Sequence, residues 1–194
     1  MRPRFVFAVL LFFALASLPG SAQVAPSAII GGLPLSVGAG FSDYNIDYCC
    51  GRRMIGVSAW ADYTLFHGLG VTADGTSIFA DLPSGLSKMR QDSIEGGFVY
   101  KGRPIFRVRP FAKFLGGIGS IDFPELDNNP YYTHDTFPII ALEGGGEYRL
   151  AGSLYAHADY QYQIWRDYHR NYALTPSGFT IGASYYFRGI HRRY

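Results

Sequence analysis

His157 and Asp159 stand two residues apart, and Ser184 follows later in the chain. Serine, histidine and aspartate are the residue types of a nucleophilic hydrolase, in which the imidazole takes the hydroxyl proton and the carboxylate orients the imidazole. Spacing decides whether they meet. In a strand, His157 and Asp159 share one face, because side chains alternate with period two. With residues 169 to 177 taken as the loop between the last two alternating segments, Ser184 falls opposite about Tyr162, well along from His157. On that register the three do not converge, so no catalytic residue is assigned and the chain is not expected to be an enzyme. Gly70-Val-Thr-Ala-Asp-Gly75-Thr-Ser has phosphate-loop glycine spacing but lacks the lysine that would reach a phosphate. Cys49 and Cys50 are adjacent. Neighbouring Cα atoms lie about 3.8 Å apart, short of the usual disulfide span of about 4.4–6.8 Å, so a mutual bond would be strained. A vicinal disulfide, an intermolecular bridge and two free thiols all stay open. His134-Asp135 and His169 fall in separate loops, with too few neighbouring ligands for a metal site. Neither metal nor cofactor is expected.

The chain that positions these residues has 194 of them, about one domain. Charged residues make up 16%, aromatics another 16%, and glycine is 24 of the total. Disorder needs the opposite balance, few aromatics and high net charge. Arg2 and Arg4, an apolar run from Phe5 to Leu18, and Pro19-Gly20-Ser21-Ala22 make residues 1–22 a secretory signal peptide. Its apolar run is too short to cross a bilayer as a helix, which takes about 20 residues. Without its two arginines the chain holds equal numbers of basic and acidic residues, so the net charge of +2 belongs to the leader. No basic footprint for nucleic acid is left.

Beyond the leader, period-two alternation recurs and helical periodicity is nearly absent. Leu154 to Trp165 alternates for twelve residues, with Leu154, Ala156, Ala158, Tyr160, Tyr162 and Ile164 opposite Tyr155, His157, Asp159, Gln161, Gln163 and Trp165. Similar patterns cover Ile55 to Leu65, Arg107 to Ile118, Ile139 to Leu150 and Gly178 to Phe187. Weaker ones cover Leu35 to Tyr44, Val71 to Ala80 and Ser93 to Lys101. That predicts eight strands of about 9–12 residues, the length a tilted strand needs to cross a bilayer. Short turns at His67-Gly68, Gly102-Arg103-Pro104 and Ala151-Gly152-Ser153 alternate with longer loops at 47–53, 81–92, 124–138 and 169–177.

One face of these segments carries Leu, Val, Ala, Tyr and Phe without charge. The other is expected to form a paired polar network in the lumen: Asp62, Glu95, Arg107, Arg109 and Lys113, together with Glu143, Glu147, Arg149, His157 and Asp159. Charges on a lipid-facing surface cost about 2–4 kcal/mol each at mid-bilayer, so the charged face turns inward. A soluble barrel would show the reverse polarity. The fold class is therefore all-β, an eight-stranded antiparallel up-and-down transmembrane barrel with short turns at one end and long loops at the other. An interior of eight strands is just filled by side chains, so no wide pore is expected. Tyr131, Tyr132 and His134, in the loop 124–138, are candidate extracellular contacts.

The leader, the eight segments and the closing strand Phe179-Thr-Ile-Gly-Ala-Ser-Tyr-Tyr-Phe187 resemble the eight-stranded outer-membrane β-barrel family, the family of the outer membrane protein A transmembrane domain and its stand-alone relatives. The resemblance divides the chain into the signal peptide 1–22, a periplasmic segment 23–32, the barrel 33–187 and a basic tail 188–194. It implies export to the bacterial outer membrane, with short turns in the periplasm and long loops outside. It also implies contact with outer-membrane lipid and lipopolysaccharide, and insertion by the barrel-assembly machinery through a terminal aromatic signal matched by Tyr185 and Phe187. The tail after Phe187 departs from the family, which usually stops at that aromatic. The implied function is a small non-enzymatic barrel with a structural, envelope-integrity or surface-interaction role. The alternative is a lipid-modifying enzyme of the lipid A deacylase or acyltransferase type, using residues such as His157 and Ser184, with a narrow channel or a secreted soluble barrel as lesser alternatives.

Overall fold

The computed structural model describes residues 35–47, 53–80, 89–122, 134–168 and 172–187. The leader, the segment 23–32, the tail, Cys49, Cys50, His169, Tyr131 and Tyr132 lie outside the described residues. Alternating β-branched, aromatic and polar residues form β1 (Leu35–Asn45), β2 (Arg53–Phe66), β3 (Leu69–Ala80), β4 (Met89–Lys101), β5 (Val108–Asp122), β6 (His134–Ala151), β7 (Leu154–Tyr168), β8 (Tyr172–Leu174) and β9 (Ser177–Phe187). Each long strand pairs antiparallel with its neighbours, and β1 closes the sheet against β9 from Leu35↔Phe187 to Asn45↔Ser177. The short β8 pairs with β7 through Trp165↔Leu174 and Tyr168↔Tyr172, in line with β9. Between them the Gln163 amide still donates to the Pro176 carbonyl at 2.8 Å. The barrel therefore has eight staves, the last broken at Thr175-Pro176, and closure gives every stave a partner on both sides.

The strands run longer than the sequence pattern suggests, up to 18 residues in β6. His134 to Pro138 belong to β6, not to a loop. Pro138 lies opposite Ile118, while pairing to β7 starts only at Ile139. This stretch is thus an edge on one side, the place where a proline without an N–H is tolerated.

Along each stave the outward residues are apolar and exposed, as with Phe41 at 79%, Ile94 at 70% and Ile181 at 69%. A continuous belt of this kind is far larger than the apolar patches a water-soluble monomer carries. At the short-turn end Tyr63, Tyr100, Tyr148, Tyr185 and Phe187 all point outward, the arrangement of an interfacial aromatic girdle. The turns there are tight. Gly68 takes a φ of 86°, and its carbonyl accepts from the Lys101 amide at 2.7 Å.

Inside, the barrel is not uniformly polar. Towards the long loops the lumen is filled by an apolar plug that includes Ile46, Met54, Ile78, Met89, Ile121, Trp165 and Leu174, all nearly inaccessible to solvent. Below it the inner wall changes to charged and amide side chains.

Candidate functional site, the sealed lumen

Alternation places the inward residues, and the stagger between strands decides which of them meet. Lys113 on β5 lies directly opposite Glu143 on β6. Its ammonium is 2.9 Å from Glu143 Oε1, 2.8 Å from Asp74 Oδ2 and 3.8 Å from Asp62 Oδ1. Nearer the short turns, Lys101 Nζ lies 2.8 Å from Asp62 Oδ2 and donates to Tyr186 Oη at 2.7 Å and Ser36 Oγ at 3.0 Å. Tyr186 in turn donates to Glu147. Asp62 thus links the two lysines across four staves. The groups are almost wholly buried, with Glu147 at 0% and Asp62 at 1%. Buried charge survives only when paired and hydrogen-bonded.

A second layer consists of amides. Gln161 and Gln163 donate to the two oxygens of Glu95 at 3.1 and 2.7 Å, Tyr44 donates to Gln161 at 2.6 Å, and Trp165 Nε1 donates to Gln163 at 2.8 Å. The indole of Trp165 belongs to the plug, so this chain of bonds ties the polar layer to the apolar one.

His157 sits between the two lysines. Its ring stacks between Trp60 (centroids 4.1 Å apart) and Phe111 (4.8 Å), and Nε2 is 2.8 Å from Asp159 Oδ2. Ser184 Oγ lies 3.5 Å from His157 Nδ1 and accepts from Trp60 Nε1 at 3.1 Å. This corrects the register read from the sequence: Ser184 pairs with Tyr155 and Gly182 with His157, whereas Tyr162 faces Ser177. Tyr172–Leu174 and Ser177 onward continue one stave around the break at Thr175-Pro176, which looks like loop sequence, and this moves the centre of the hairpin towards its beginning. The serine, histidine and aspartate do converge. They do so away from solvent among the described residues, where Ser184 is 0% exposed and the polar cavity lined by Trp60, Lys113, Glu143 and Asp159 is about 10 Å³. That is room for at most one water and none for a substrate.

Glu143, His157 and Asp159 each bring a donor atom within 4.8 Å of the others. However, the Lys113 ammonium already stands against Glu143, and Asp159 already holds the imidazole. The lysine occupies the electrostatic place of a cation.

Of the residues read as a lumen network, Asp62, Glu95, Lys113, Glu143, Glu147, His157 and Asp159 are buried inside the barrel. Arg109 lies at the short-turn mouth, its guanidinium 5.5 Å from the Tyr186 ring and 5.8 Å from the Tyr155 ring. Arg107 and Arg149 are corrections: both are exposed. Arg107 precedes β5 in the tight turn closed by Ile105 and Val108, and Arg149 bonds the Gly152 carbonyl at 3.2 Å in the next turn. Strand parity was right for Arg149, but so near the stave's end its long side chain reaches water. Asp74, Lys101 and Tyr186 were missed. Asp74 sat in the dismissed glycine segment, and Lys101 closes its strand, so only the alternation itself pointed to them. Tyr185 and Phe187 face outward on β9 in edge-to-face contact at 5.2 Å. His134 lies on the outer wall of β6, not in a loop.

A search of curated sequences finds no match. Solved structures do match in fold. Neisserial surface protein A shares 14% identity with a TM-score of 0.64, covering 79% of this chain and 97% of that one. Ail, the attachment invasion locus protein of Yersinia pestis, shares 15% identity with a TM-score of 0.56, covering 79% and 97%. The outer membrane protein OprG from Pseudomonas aeruginosa shares 12% identity with a TM-score of 0.57, covering 80% and 96%. The family model described as the outer membrane protein beta-barrel domain matches residues 5–187. Eight closed antiparallel staves with an apolar outer belt agree with that match, and the chain belongs to the outer membrane protein beta-barrel domain family.

Proposed function

We propose that this protein is a small integral barrel of the bacterial outer membrane whose role is structural or lies in surface interaction, its lumen serving neither transport nor catalysis. In this reading residues 1–22 direct export, and the barrel-assembly machinery receives the chain through Tyr185 and Phe187. Outer-membrane lipid and lipopolysaccharide then surround the belt, and an extracellular partner meets the long-loop end. The observation that carries the proposal is the filled lumen: two lysines held among buried carboxylates, capped by the apolar plug around Met54, Met89 and Trp165. A protein so closed can act only through its outer wall and loops. The likeness to Ail, also solved with the heparin analogue sucrose octasulfate, supports a surface role.

The competing reading, a lipid-modifying enzyme working through His157 and Ser184, has their contact in its favour and the complete burial of Ser184 among the described residues against it. Planar-bilayer recording combined with a His157→Gln variant tests the proposal. The expected result is no stepwise conductance and the same lipid composition in cells carrying either form. Discrete conductance, or an acyl chain lost from membrane lipid only when His157 is present, would overturn it.

A further inference from the structure

On the outer wall at the long-loop end, the apolar belt stops between two rungs of the sheet. Ile94, Ile118 and Pro138 form the last apolar rung across β4, β5 and β6. The next outward rung is Asp92, Ser120 and Thr136, and the one above is Arg90, Asp122 and His134. Ser120 Oγ lies 3.2 Å from His134 Nε2 and 3.3 Å from Nδ1, and His134 Nδ1 pairs with Asp122. The His134 and Asp122 side chains are 58% and 45% exposed. Unlike the lumen trio, this one is open to the membrane. It sits where the outer wall turns from apolar to polar, and in a bilayer that boundary matches the depth of the acyl-ester carbonyls.

We infer that Ser120, His134 and Asp122 form a serine esterase site on the outer wall that cleaves acyl esters of phosphate-bearing lipids in the outer leaflet. The inference goes beyond the scaffold reading, which concerns the lumen and loops.

The Ser120 hydroxyl is almost equidistant from the two ring nitrogens, and a turn of the exposed imidazole about its contact with Asp122 is what brings Nε2 onto it. With Nδ1–H donating to Asp122, Nε2 is the base. As Ser120 Oγ bonds to the acyl carbon, its proton passes to Nε2. The ester C–O bond then breaks, and the same proton leaves with the lipid alkoxide as a free hydroxyl. Water attacks the acyl-serine in the second half, again giving its proton to Nε2, and the fatty acid departs as Ser120 is regenerated. Thr136, in register with Ser120, offers a hydroxyl to the oxyanion. Asp122 is a positioning residue. Arg90, in register with Asp122, reaches Asp92 through Nε at 3.0 Å. Among the described residues that is its only partner, which leaves the rest of its guanidinium for a lipid phosphate.

The test uses the full mature barrel in vesicles, in three arms. A fluorophosphonate probe is followed by peptide mass mapping, and free fatty acid is measured from phosphatidylglycerol vesicles and from vesicles carrying lipopolysaccharide. Labelling at Ser120 is expected, absent in Ser120→Ala and reduced about 100-fold or more in His134→Ala. Asp122→Asn should lower kcat with KM little changed, and Arg90→Gln should raise KM. Release from lipopolysaccharide alone identifies a glycolipid substrate, and release from phosphatidylglycerol identifies a phospholipid. These outward side chains bear little on the barrel's core, and heat-dependent gel mobility confirms that each variant is folded. No label and no fatty acid from either vesicle, or equal release by folded Ser120→Ala, would overturn the inference.

Discussion

Lys113 and Glu143 face each other across β5 and β6, with 2.9 Å between Nζ and Oε1 and almost no solvent at either side chain. The same ammonium holds Asp74 at 2.8 Å. One lysine therefore joins three staves and fixes the interior against their sliding. Removing it leaves two carboxylates facing each other in a dry space. Lys113→Met is expected to lower stability by about 3–5 kcal/mol, the usual cost of breaking a buried pair from one side. Adding Glu143→Gln and Asp74→Asn should recover much of the loss. Urea unfolding in lipid vesicles, followed by tryptophan fluorescence, gives both numbers.

Trp60 and Gly38 form a second lock. They pair across β1 and β2, and a Cβ on Gly38 would come within 2.3 Å of the indole at Cε2. Gly38→Ala is expected to cost about 1–3 kcal/mol by overpacking, and Trp60→Phe in the same chain should return part of it. Equal stability of Gly38→Ala and the parent, in the same unfolding assay, would show that the ring is not held there.

Ala158 and Ile181 are cross-strand partners on the outer face, both exposed. Arginine at either should cost about 2–4 kcal/mol at mid-bilayer and reduce the inserted fraction in vesicles, while Ile181→Leu should not. Insertion yield separates them.

Tyr185 and Phe187 point outward at the end of the last stave. Phe187→Ala is expected to slow assembly in cells, whereas removing residues 188–194 should not. Pulse-chase of the folded form measures both rates, and the opposite order would place the recognised end at Tyr194.

The sequence made the staves visible because a half-buried strand writes itself as period two. Leu154 to Trp165 could be read residue by residue, and so could the inward course of His157, Asp159 and Lys113. What it could not supply was register. Pro176 looked like a loop residue, and that moved Ser184 some seven places from its true partner Tyr155. The plug was hidden for a related reason. Met54, Met89 and Ile121 are apolar on the inward side, and only the closed sheet brings them together above the charges. Ser120, Asp122 and His134 stayed scattered for the same cause, since His134 was counted as loop until its strand paired it with Asp122.

The barrel is closed and held shut by its own strands, and gel migration of unheated protein tests this most directly. A barrel without free edges keeps its fold in detergent until heated. The unboiled mature protein should migrate as a compact band, apart from the boiled form, and a graded temperature series should turn one band into the other in a single step. Identical migration before and after boiling, from protein shown to be inserted in lipid, would contradict the closed barrel.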